Sequence, residues 1–248
     1  MAALRGHSFF GLPAAARAPA AHPGVSRRFA AALLAGGIMS GSDAQAQDSG
    51  ARLRAAAAAG RADDIRRLVQ GAGNAAIDAA DSDGRTALLI AVANGREEAA
   101  AALIAAGADV NAQAANRDTP WLLAGADGRV AMLRAMLATG AVDYARRNRY
   151  GGNALIPAAH HGHVDAVRVL LTESRIDVDH INDLGWTALL EAIILGDGGG
   201  AHTEIVRLLL AHGASVNLAD REGTTPLAHA RRRGQRAIIA LLEAAGAR

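Results

Sequence analysis

The feature that most constrains this chain is that it repeats itself. Gly84-Arg85-Thr86-Ala87-Leu88 returns as Gly185-Trp186-Thr187-Ala188-Leu189 and Gly223-Thr224-Thr225-Pro226-Leu227. Looser copies stand at Arg117-Asp118-Thr119-Pro120-Trp121 and Gly151-Gly152-Asn153-Ala154-Leu155. The position of Thr86 recurs at Thr119, Asn153, Thr187 and Thr225, in steps of 33, 34, 34 and 38 residues. In phase with it, Leu103-Ile104 is matched by Met136-Leu137, Leu170-Leu171, Leu208-Leu209 and Leu241-Leu242. Between the landmarks, Gly95, Gly128, Gly162, Gly196 and Gly234 each separate two apolar stretches. A period of this size excludes one closed core. Each unit buries its apolar face only by stacking on the next.

These residues resemble the ankyrin repeat family over about residues 51–248. The resemblance implies an all-α solenoid of helix–turn–helix pairs with β-turn tips. The expected repeats are about 51–80, 81–113, 114–147, 148–181, 182–219 and 220–248, with helix pairs beginning near 51, 84, 117, 151, 185 and 223. Elementary chemistry agrees with each part. Gly84 and Gly185 permit a turn at positive φ, Thr86 and Thr187 are helix caps, and Pro120 and Pro226 suit a first helical position. Gly107 and Gly213 close the outer helices. The chain departs from the family where a His usually follows the Leu: Leu89, Leu122, Ile156, Leu190 and Ala228 stand there, so a hydrogen-bonding link is expected to be lost. Trp121 falls on a core position. Asp197-Gly198-Gly199-Gly200-Ala201 is extra, and reads as a flexible lengthened turn.

Residues 1–46 read as a leader, leaving 47–248 as the repeat domain. Acids are absent from residues 1–42, and Arg27-Arg28 precede the apolar run Phe29–Met39, followed by Ala44-Gln45-Ala46. Basic region, short apolar run and small-x-small site are the order of a secretory signal, with cleavage between Ala46 and Gln47. The run is too short for a permanent membrane anchor. A periplasmic location follows as the expectation, by the general or the twin-arginine route, with Val25 as an alternative start. The pI of 9.8 reflects this segment. Four Arg against one Asp make residues 1–47 +3 in a chain of +2, leaving −1 for the remainder. A body of that charge does not attract a phosphate backbone, so no nucleic acid is expected.

Nothing in the pattern supports catalysis. There is no Cys, no nucleophile elbow and no carboxylate pair, and Glu191 stands as an isolated acid. Metal ligation is not expected: Gly162-His163, in His160-His161-Gly162-His163, is the ordinary turn pair of the repeat. Asp177, Asp179, His180 and Asp183 lack calcium-loop spacing and read as solvated turn residues. Gly196-Asp197-Gly198-Gly199-Gly200 lacks the strand and the Lys-Ser/Thr of a phosphate loop. No cofactor is implied. A His/Asp metal or small-molecule groove in repeats four and five, and a secreted effector acting on a host, are the competing readings.

The resemblance implies a protein partner, held by turn tips and by the exposed side of the inner helices. Repeats two and three offer small and acidic residues there, such as Ser82, Asp83, Asn116 and Asp118. Repeats four and five offer Arg149, Tyr150, His160, His161, Asp183, Leu184, Trp186, Ile194 and Leu195. Binding hot spots favour Trp, Tyr and Arg, so the site is expected at Trp186, Tyr150 and Arg149 of an otherwise monomeric chain.

Overall fold

The computed structural model describes residues 41–72 and 76–248, so the basic and apolar parts of the expected leader lie outside the described residues. Every regular element among them is helical. There are six pairs: α1 (Gly41–Ala59) and α2 (Ala62–Ala72), α3 (Ala87–Ala93) and α4 (Glu97–Ala105), α5 (Pro120–Ala126) and α6 (Val130–Ala138), α7 (Leu155–His160) and α8 (Val164–Glu173), α9 (Ala188–Ile194) and α10 (Gly200–Ala211), α11 (Pro226–Arg232) and α12 (Arg236–Ala244). Inner helices α1, α3, α5, α7, α9 and α11 pack each on the next, as do outer helices α2, α4, α6, α8, α10 and α12.

The first pair departs from expectation. Its inner helix is already formed at Gly41, ten residues ahead of 51, and its backbone runs through Ala46 and Gln47. No Gly-x-Thr turn precedes it to set a start. The segment is rich in Ala, the best helix former, and carries an i,i+4 pair between Asp48 and Arg52 at 2.8 Å.

Local chemistry fixes the other inner helices. Thr86, Thr119, Thr187 and Thr225 each accept a hydrogen bond from the amide three residues on. In repeat four Asn153 does this work, accepting from Leu155 and Ile156. Leu88, Leu103, Leu133, Leu155, Leu170, Leu189, Leu209 and Leu242 then form a continuous buried ladder, each contributing about 2 kcal/mol. Ala91, Ala124, Ala158 and Ala192 are fully buried, which lets neighbouring helices approach. Leu89, Leu122, Ile156 and Leu190 are buried too, so apolar contact does replace the family histidine.

Arg117 alone departs from local preference. It takes the tip position held by Gly84, Gly151, Gly185 and Gly223, and is the only residue outside glycine, among those described, at positive φ (67°). A side chain there costs about 1–2 kcal/mol.

Between hairpins, a side-chain oxygen on one accepts an amide of the next. Asp78 accepts from Asp109, Asn111 from Asp143, Asp179 from Ser215 and Asn217 from Arg248. Ala145 has no such oxygen. That junction, between the tips of repeats four and five, uses other bonds: His180 Nε2 donates to the Gly151 carbonyl (2.7 Å) and Asn153 Nδ2 to the Asp177 carbonyl (2.9 Å). Asp177, Asp179 and His180 are thus hairpin stitches rather than merely solvated turn residues.

Candidate protein-binding face

Tip conformation comes from one side-chain oxygen in every turn but that of repeat three, where Ala114 takes its place. Asn148 Oδ1 accepts from Tyr150 and Gly152 (2.9 Å each), and Asn182 Oδ1 from Leu184 and Trp186 (3.0 Å each). Asp81 and Asp220 do the same in repeats two and six. This Asx closure occupies the turn amides. The two middle side chains are left free to project. Tyr150 is 46% exposed and Leu184 47%. The Asp183 amide donates to the Tyr150 carbonyl at 2.8 Å, holding the two tips side by side. Asp183 itself is exposed. Arg149 lies over the Tyr150 ring, 4.9 Å from its centroid. Trp186 is half-buried, less open than the tip position suggests. Trp121, by contrast, is 2% exposed and packs edge-on against Tyr144, a core residue as expected.

Helical spacing puts Ile90, Leu123, Pro157, Glu191 and His229, one on each inner helix from α3 to α11, on the face of the expected groove positions three and four residues on. In repeats four and five those positions are His160 and His161, then Ile194 and Leu195. His160, Ile194 and Leu195 are half-buried, and His161 is exposed with its ring stacked on His160 at 4.5 Å. His163 belongs to the turn and crowds Gly128 instead. Among the described residues no three His, Asp or Glu side chains converge to hold a metal ion. No described helix is long and apolar enough to cross a membrane.

Glu191 is not isolated. It is 5% exposed, and its Oε1 accepts from Asn182 Nδ2 at 2.9 Å, the same Asn that closes the tip. Its Oε2 lies 3.6 Å from His160 Nδ1. Burial raises the Glu191 carboxyl to about 7, partly offset by the Asn182 amide. Burial also lowers His160 to about 4, helped by His161 and His202. Near pH 6 the pair is therefore two neutral groups in contact, not an ion pair. In repeat six His229 Nε2 meets Asp220 Oδ2 at 2.7 Å. The link missing from the family position is thus restored one residue later in repeats five and six. The sequence marks Glu191 as an isolated acid and misses its clamp; the signal was a lone acid where its counterparts are Ile90, Leu123 and Pro157.

The glycine-rich insertion is anchored at both ends. Its last two residues open α10, which is twelve residues long. His202 bonds Asp197 (2.8 Å) through Nδ1 and donates from Nε2 to the His160 carbonyl (2.9 Å). From the other side Arg233 donates to the Gly196 carbonyl and Gln235 to that of Ile193. The residues that bound the insertion, Gly196 and His202, are thus tied to the flanking repeats, and Asp197 is tied within its own.

The tandem helix pairs, capped tips and shared ladder are matched by family models. Ankyrin repeat models cover residues 26–114 and 174–248 in one form and 121–171 in another. The chain is an ankyrin repeat protein. The first match begins at residue 26, inside the expected leader. YahD of Escherichia coli (strain K12), named as an ankyrin repeat protein, is 41% identical over 171 residues, 69% of this chain and 85% of its own. An ankyrin repeat domain from Acinetobacter baumannii AYE is 51% identical with a TM-score of 0.73, over 79% of this chain and 98% of that one. The ankyrin repeat domain of Bcl-3, described as a unique member of the IkappaB family, is 28% identical with a TM-score of 0.70, over 79% and 86%. Ankyrin repeat proteins are, in general, non-catalytic protein-interaction modules.

Proposed function

We propose that this ankyrin protein is a non-catalytic adaptor of the bacterial periplasm, monomeric alone, that holds a protein partner on the tips and groove of repeats four and five. The observation that carries the site is the pair of adjacent tips presenting Tyr150 and Leu184, each nearly half exposed, with Arg149 stacked alongside. Among the described residues the only other large hydrophobic side chain so exposed is Ile181, just before the same tip. Rigid aromatic and guanidinium groups lose little entropy on burial and carry most affinity at interfaces. Export rests on Arg27-Arg28, the run Phe29–Met39 and Ala44-Gln45-Ala46.

The test has two arms. Partners captured from periplasmic extract are identified by mass spectrometry, and the purified partner is titrated against tip variants. Tyr150→Ala and Trp186→Ala should each cost about 2 kcal/mol or more, roughly thirtyfold in affinity. Ser82→Ala and Asp83→Ala should leave affinity nearly unchanged. Unchanged affinity with a lowered melting temperature in the aromatic variants would make those side chains structural. For export, N-terminal sequencing of the mature protein should begin at or near Gln47; an intact N-terminus on cytoplasmic protein overturns it.

A further inference from the structure

We propose that Glu191 sets the specificity of this groove by receiving an Arg or Lys side chain of the partner, an inference that rests on the partner-binding reading of repeats four and five. The fold uses only part of this residue. The tip clamp needs one acceptor for Asn182 Nδ2, which a glutamine carbonyl would supply equally well. The second oxygen has its nearest basic nitrogen at 3.6 Å, on the half-buried His160. The position is interchangeable as far as the clamp is concerned, since His229 closes the repeat-six tip from the same place.

Among the described residues Glu191 makes no ion pair with an arginine. His160 lies against it from α7, 3.6 Å away and held neutral by burial. On α11 His229 is engaged with Asp220, and Arg233 with the Gly196 carbonyl. On α10 His202 is spent on Asp197 and the His160 carbonyl. Burial therefore keeps an ionisable carboxyl near half-ionised at neutral pH. A cation delivered by a partner makes it a fully charged pair in a water-poor site, where such pairs are strong. The surroundings suit the rest of such a side chain. Leu184, Ile194, Leu195 and the half-buried Trp186 can cover an aliphatic stem, and aromatic faces attract the cation.

The experiment is selection of random twelve-residue peptides, displayed on phage, against the full chain and against Glu191→Gln at pH 8. Equal melting curves at pH 5, where the Glu191 carboxyl is protonated, confirm that the glutamine keeps the Asn182 clamp. Wild type should enrich peptides that place an Arg or Lys beside aromatic or aliphatic residues. The variant should keep the apolar preference and lose the cation. A selected Arg peptide should bind wild type about tenfold more weakly at pH 6 than at pH 8, because the carboxyl must ionise to receive it, and should show no such change with the variant. Equal cation enrichment on both proteins, no cation enrichment on wild type, or a flat pH profile overturns the proposal. If the apolar enrichment itself survives Tyr150→Ala and Leu184→Ala, the tip site fails as well; if it is lost in them while no cation is selected, only the role of Glu191 fails. Recovery of no peptide overturns both.

Discussion

Between Asp83 and Ala115, and again between Tyr150 and Asp183, one 2.8 Å main-chain hydrogen bond joins a tip to its neighbour. The scaffolding is the same in both places, but the side chains finish it differently. At the first pair Arg85 ties itself to Asp81 and Asp83, and polar groups answer one another. At the second, Tyr150 and Leu184 stand open and Arg149 lies on a ring rather than on an acid. The inner helices follow suit: Ile90 in repeat two, Glu191 in repeat five. A repeat fold fixes where side chains stand and leaves their identity free, so function is read from the contrast between repeats rather than from the repeat.

That contrast can be broken in stages. The largest effect separates the two tryptophans. Trp121→Ala should destabilise the chain by about 4 kcal/mol, as large-to-small core changes do, whereas Trp186→Ala should cost less than half of that. Urea denaturation measures both, and equal losses would erase the distinction between core and tip.

Next comes pH. The folded value of Glu191 stands above its ordinary 4.5, so its contribution is fully present below about 4.5 and lost as pH rises through about 7. Glu191→Gln should therefore gain stability relative to wild type by about 2 kcal/mol between pH 5 and pH 8. His160, lowered by burial, works the other way, losing stability as pH falls from about 6.5 through about 4. Ile90→Val in repeat two, compared over the same range, should show no pH-dependent difference. A Glu191→Gln difference that stays constant with pH would mean that the carboxyl is not desolvated.

The smallest effect concerns Arg117. Replacing it with Gly relieves the left-handed strain and should stabilise by about 1 kcal/mol. Arg117→Gly without any gain in melting temperature would show that neighbouring contacts hold the strained turn at no net cost.

Much of the fold was legible because caps, turn glycines and leucine pairs act within a few residues of their partners. Thr86 and Thr187 could be assigned as caps from spacing alone. Glu191 could not be placed, because its clamp lies nine residues back at Asn182 and its other contact, His160, is in another repeat. The anchoring of the insertion's ends was illegible for the same reason: His160, Arg233 and Gln235, which bond His202, Gly196 and Ile193, belong to the flanking repeats. The early start of α1 went unseen because no turn glycine marks it.

The insertion in repeat five has a consequence for how the protein could be extended. Chain length changes there by several residues, yet α9 and α10 still meet the helices on both sides. His202 arrives six positions after Gly196 and still does the bridging that Arg96, directly after Gly95, does toward the Ala58 carbonyl. The turn also sits a full inner helix of seven residues away from the tip, roughly 10 Å along the axis. A fluorophore or a short tag spliced between Gly198 and Gly200 should ride on the scaffold clear of the tips but beside the groove residues Leu195 and His160, making this loop a natural attachment point for a binding sensor.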